Sequence, residues 1–189
     1  MPFTNESWLT LDIKNHFKRK KIAYNEDNLI GVLISEQSSK NDVWYAVLGL
    51  RDVGTEKCIP YLKKLANYPK QDVKDCSVIT ISHLVGVNET DFYIGLLQRK
   101  KYRKGYPLLA ILSSADERAI EPVIDYLTPI YKKVSKPAIW KDNGDYIDAL
   151  RYLYRYYAIN MDAKEMVDKF LALEGRTNVG LSDIKESPF

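Results

Sequence analysis

A self-similarity at a spacing of roughly thirty residues constrains this chain more than any other feature. In "VGTEKCIPYLKKL" (53–65) and "VGVNETDFYIGLL" (85–97), Val53-Gly54, Leu62 and Leu65 recur as Val85-Gly86, Ile94 and Leu97, a shift of 32. "IPYLKKL" (59–65) aligns with "EPVIDYL" (121–127) at a shift of 62, which brings Pro60 onto Pro122, Leu62 onto Ile124 and Leu65 onto Leu127. The same shift carries Leu50 onto Leu112 and Val47 onto Leu109 in the preceding segments. A helix pair of this length cannot bury its apolar face alone, so successive pairs must stack.

Apolar residues recur at helical spacing almost throughout, and no window longer than a few residues alternates as a half-buried strand does. The pattern predicts an all-α protein with helices near 6–18, 26–37, 41–52, 56–67, 71–85, 89–101, 105–114, 117–133, 145–159 and 162–174. Gly54, Gly86, Ser113-Ser114 with Asp116, and Gly105 or Gly144 punctuate them, with Pro69 and Pro137 as further breaks. The last fifteen residues, "GRTNVGLSDIKESPF", read as loosely ordered.

With 46% apolar and 28% charged residues the chain has an ordinary globular composition. No apolar run reaches the roughly 18 residues of a membrane span, and the start, "MPFTNESWLT", lacks a signal-peptide pattern. The expectation is a cytoplasmic protein that does not enter a membrane. Cys58 and Cys76 make no disulfide framework and no metal-ligand spacing, and read as buried free thiols. His16 and His83 likewise read as structural or surface residues. The net charge of +3 is weak for a protein that grips a phosphate backbone. No nucleophile, phosphate-cradle or metal-ligand motif stands out, which points away from an enzyme and from any cofactor or metal.

At these residues the chain resembles the HEAT-like (PBS-lyase-type) repeat family, in which a first helix, a glycine-containing turn and an "A-I-P-x-L" second helix precede an acidic-Val start of the next repeat. "AVLGLRDVGTEKCIPYLKKLANYPKQDV" (46–73) carries the pattern through Ala46, Leu50, Gly54, Ile59, Pro60, Leu62, Leu65 and Asp72-Val73, and "ILSSADERAIEPVIDYL" (111–127) carries it again. The middle repeat keeps Asp72-Val73 and Gly86 without the proline, and 144–174 matches only in period and helix content. The resemblance implies a right-handed α-solenoid of about four helix pairs over 40–174, an N-terminal helical cap over 1–39 and a C-terminal tail over 175–189. Pro60 and Pro122 suit it, because a proline near a helix start lacks only an N–H that has no intrahelical partner.

Second helices generally line the concave face of such solenoids, so Tyr61, Tyr93 and Tyr126 are candidate anchors for a partner protein, or alternatively fillers between stacked repeats. In "YIDALRYLYRYY" (146–157) Arg151 and Arg155 share a helical stripe beside Tyr152, either a binding patch or a packed surface. Basic residues gather where second helices end, at Lys63-Lys64, at Lys132-Lys133 with Lys136, and most densely in "RKKYRK" (99–104). Acidic residues gather where those helices begin: Asp52 and Glu56, Glu89 and Asp91, Asp116 with Glu117 and Glu121, Asp162 and Glu165. Parallel second helices then give one basic and one acidic edge, a trend that helix dipoles favour.

The expected function is a protein-binding module in which Tyr61, Tyr93 and Tyr126 anchor a partner while Arg99, Lys100, Lys101, Arg103 and Lys104 steer its acidic surface. One specific form, by resemblance, is a bacterial immunity protein that occludes a toxin. The alternative is nucleic-acid binding along the basic edge, as in a DNA-glycosylase family built from such repeats. Against that, Trp44 and Trp140 have no aspartate one turn on, and the Trp8/Asp12 pair lies outside the repeats.

Overall fold

Helices form almost segment by segment where the apolar spacing places them. The computed structural model describes residues 8–134, 145–173 and 181–185, so Lys136, Pro137, Trp140 and Gly144 lie outside the described residues. Its helices are α1 (Trp8–Arg19), α2 (Glu26–Ile34), α3 (Lys40–Val53), α4 (Ile59–Lys64), α5 (Gln71–Val85), α6 (Thr90–Gln98), α7 (Gly105–Ser114), α8 (Ile120–Val134), α9 (Asp145–Tyr154), α10 (Met161–Leu171) and α11 (Leu181–Lys185). Among the described residues there is no strand, and no helix is long and apolar enough to cross a membrane.

Three differences from the sequence reading have local causes. The segment 56–67 is a six-residue α4 between tighter 3-10 turns at Glu56–Cys58 and Leu65–Asn67, with Pro60 in its first turn. The helix expected to reach Lys101 ends at Gln98, and Arg99 is already extended. The tail expected to be loose contains α11, which packs on α9 and buries Ile184.

The chain divides into two compact units, residues 1–85 and 86–189. In the first, α1 packs on α3 and α3 on α5, while α2 packs on α3 and α4. α1 and α2 therefore join the same core as α3, α4 and α5, filled by Phe17, Leu29, Val47, Leu50, Leu62 and Ile81. Gly49 permits the close approach: a Cβ there would lie 2.9 Å from Leu29 Cδ1 and 3.1 Å from Tyr24 Cε2. In the second unit α6 packs on α7 and α8, α7 on α9, and α8 on α9 and α10. Its core holds Tyr93, Leu108, Ile111, Leu127, Tyr146 and Phe170.

In both units the second helices begin side by side. Glu26 at the start of α2 accepts from the Thr55 backbone N–H ahead of α4 at 2.7 Å. Arg118, just before α8, reaches Asp91 in the first turn of α6 with Nη1 at 3.0 Å. Side-by-side starts put N-terminal partial positive charge along one edge of each unit, which accounts for the acidic residues there.

A buried polar knot ties α1 to α3. Asp42 forms a capping box with Ser39, and also takes His16 Nε2 at 2.8 Å and Lys20 Nζ at 2.8 Å. His16 stacks on Tyr45 at 4.2 Å, and Tyr45 donates to Asp12 at 2.8 Å. Burial pushes the Asp42 carboxyl up, but hydrogen bonds from Lys20, Ser39 and His16 outweigh it and hold the group far below the usual carboxylate range. Asp42→Asn is therefore expected to destabilise the protein by about 2–4 kcal/mol, since it leaves His16 and Lys20 without their anion. Because the folded pKa is depressed, this contribution is full above the unfolded value of about 3.9 and fades as pH falls further. Denaturant unfolding of both proteins at neutral pH and in acid checks it: the gap must narrow in acid.

Candidate functional site

The tyrosines offered as surface anchors divide. Tyr61 is half-buried under the Lys64 ammonium, 5.6 Å from its ring centre, and Tyr126 is half-buried. Tyr93, at the position equivalent to Tyr61, has no exposed surface and donates to the Gly86 carbonyl at 3.3 Å. It packs the core, with no side-chain surface to present. Tyr152 is also fully buried, and its hydroxyl donates to the Asp116 carbonyl at 2.5 Å, while Tyr156 donates to Ala115 O. Ala115 has φ 49°, a left-handed conformation that costs a non-glycine residue about 1 kcal/mol or more. The two hydroxyls thus clamp the strained α7–α8 turn. Arg151 bonds Asp148 at 3.1 Å and the Asp183 carbonyl at 2.7 Å, holding α11 to α9, and Arg155 is exposed.

The basic run also divides. The Lys104 ammonium turns back onto the end of α6, donating to Leu97 O at 2.6 Å, Leu96 O at 3.4 Å and Arg99 O. Leu96 O also accepts from the Arg99 backbone N–H and Arg99 O from that of Tyr102, so Lys104 adds a side-chain cap to the helix end, centred on Leu97 O. Burial lowers its pKa from the usual lysine value. The Arg103 guanidinium lies 5.8 Å from the Tyr106 ring centre. Arg99, Lys100 and Lys101 are exposed.

The concave feature of the second unit lies at the opposite ends of its helices. A cavity of about 780 Å³ opens between the starts of α8 and α10. One wall carries Glu117, Arg118, Ile120, Glu121, Ile124 and Asp125; the other carries Asn160, Asp162, Glu165, Met166 and Lys169. Ile120 and Met166 are buried and floor it, with Ile124 half-buried beside them. The acid-facing rim follows from spacing: Glu121 and Asp125 fall four residues apart on one stripe of α8, and Glu117 lies in the 3-10 turn Glu117–Ala119 just ahead of it.

Five carboxylates against two cations give this lining a net charge of 2 − 5 = −3. Both cations are already engaged. Arg118 grips Asp116 with Nη2 at 2.5 Å, which holds that carboxyl below its usual value, and also binds Asp91. Lys169 pairs with Glu165 at 2.6 Å. Asn160 caps α10 by accepting from the Ala163 N–H at 2.9 Å. On either side of it Ile159 and Met161 are 80% and 79% exposed.

Glu117, Glu121, Asp162 and Glu165 belonged to the acidic trend in the sequence; Asp125 and the exposed pair Ile159 and Met161 did not stand out. The signal available was the four-residue spacing of Glu117, Glu121 and Asp125. Among the described residues no group of His, Cys, Asp and Glu could hold a metal ion. Cys58 is buried, with its thiol pushed up to about 11 by burial, and Cys76 is half-buried. No family model matches this chain, and no curated protein matches it at a significant level.

Replacing Lys104 tests its structural assignment. Lys104→Met is expected to lower stability by about 1–2 kcal/mol by removing the side-chain donor at the end of α6, above all from Leu97 O, while Lys101→Met changes it by less than about 0.5 kcal/mol. Thermal unfolding of both variants reads the difference.

Proposed function

We propose that this chain is a non-enzymatic protein-binding module of the HEAT-like kind, a right-handed solenoid whose second-helix face grips a partner protein. The reading rests on the open groove between α8 and α10, 780 Å³ in volume and walled by two successive second helices. Helices packed on both sides hold these walls, so little ordering accompanies binding and more of the contact energy appears as affinity. Tyr126 and Arg155 supply further contact surface on the same unit, whereas Tyr93, Tyr152 and Lys104 act from within by holding the walls and turns in place.

An immunity protein that occludes a toxin is one specific form of this reading. A rigid groove fits that task, because occlusion asks only that a surface be covered. The face that meets the partner is acidic, so the partner surface drawn to it is basic rather than acidic. The exposed Arg99, Lys100 and Lys101 lie at the other helix ends, where they repel a basic surface and so orient it toward the acidic groove.

Site-specific photo-cross-linking in the native host tests this reading. A cross-linker replacing Glu121 or Asp125 is expected to capture one partner protein, and a cross-linker replacing Ser113, exposed on the first helix α7, is not. Capture from position 113 with none from 121 or 125 would place the interface elsewhere and overturn the groove assignment.

A further inference from the structure

The series Glu117, Glu121 and Asp125 carries a charge pattern that helix stability does not explain. Carboxylates favour a helix start, but the benefit fades beyond the first turn, and α8 begins at Ile120. Asp125 lies past that turn, four residues from Glu121, where like charges repel along a helix. The facing wall adds Asp162 at the start of α10, and neither lining cation is available to neutralise these groups, since Arg118 holds Asp116 and Asp91 while Lys169 holds Glu165. The groove is thus a standing negative field over an apolar floor of Ile120 and Met166. Flanking the groove-lining Asn160 in the chain are Ile159 and Met161, large apolar side chains left four-fifths exposed, Met161 lining the neighbouring cavity that shares Glu165 and Lys169 with the groove.

From this combination we infer that the groove receives a cationic segment of the partner protein that also carries large apolar side chains. The inference rests on the module reading above and names the chemistry of its ligand. The α8 carboxylates rise about 6 Å per step of four residues, so they match lysines or arginines spaced one helical turn apart. The segment's apolar side chains reach the floor between the charges and extend over Ile159 and Met161, which flank Asn160 in the chain. Cations settle the register and speed the encounter, and the aliphatic contacts hold the complex once water is excluded. A small polyamine supplies only the first of these and is held more weakly.

Short synthetic peptides test it by calorimetry on the full chain. A Lys/Leu peptide with lysines one helical turn apart is expected to bind, and binding weakens as salt rises toward about 0.15 M and above. A Lys/Ser peptide and spermidine bind more weakly, and a Glu/Leu peptide does not bind. Glu121→Lys with Asp125→Lys, two exposed positions, lowers affinity for the Lys/Leu peptide by about tenfold or more, with helical circular dichroism and melting temperature retained. Ile159→Ser with Met161→Ser lowers it too.

Equal binding of the Glu/Leu peptide, equal binding of the Lys/Ser peptide, or an unchanged affinity in the charge-reversed protein would each overturn the inference. The two proposals fail separately. Photo-capture from position 121 or 125 of a partner whose contacting segment is acidic leaves the module reading standing and sinks this one. Peptide binding with no photo-capture there does the reverse.

Discussion

A short helix with one apolar stripe is stable in water only when something covers that stripe. In both units the cover comes from the next period of the chain: α3 on α1, α5 on α3 and α4 on α2 in the first, α9 on α7, α8 on α6 and α10 on α8 in the second. Once that pairing is imposed, the second helices of a unit have little choice of direction. Their starts come together, as the Arg118–Asp91 and Glu26–Thr55 contacts record. Aligned starts then fix the electrostatics, since each contributes unsatisfied N–H groups to the same edge.

Charges placed by that rule serve two different ends. Asp42 and Lys104 sit at helix termini and are consumed there, the first by a capping box, His16 and Lys20, the second by three carbonyls. Neither is available to a partner, although each looks in the sequence like part of a charged surface. Glu117, Glu121 and Asp125 obey the same dipole rule at their first member and depart from it at their last. The departure separates a charge that stabilises a helix from one that a helix merely tolerates.

The helices, their order and most of their bounds were legible because they depend on apolar spacing within each segment. Pro60 in the first turn of α4 and the buried Leu62 and Leu127 follow from the repeat alignment. Exposure was less legible. Tyr61 and Tyr93 are equivalent in the repeat, yet one is half-buried and the other fully enclosed, because exposure depends on how far each helix is rotated against its neighbours. Period fixes which residues correspond, not that rotation. The split of the basic run was hidden for a related reason: Lys104 reaches the α6 carbonyls only because the chain reverses at Arg99, three residues earlier than periodicity suggests. The groove was hidden because its walls, some forty residues apart in the chain, meet only through packing.

A surface can be acidic for reasons internal to the fold, and in this unit part of the acidic edge is. Asp116 and Asp91 share Arg118, and Glu165 has Lys169. What distinguishes the α8–α10 groove is that its remaining carboxylates converge over buried aliphatic side chains while the exposed Ile159 and Met161 flank its Asn160 in the chain. Water hydrates the charges well and the aliphatics poorly, so a purely structural edge gains nothing from placing the two together. A ligand that carries both characters gains from both at once. The same juxtaposition disfavours a nucleic acid at this groove, where its phosphates meet repulsion; the exposed cations Arg99, Lys100, Lys101, Arg103, Lys132 and Lys133 stand at the other ends of the helices.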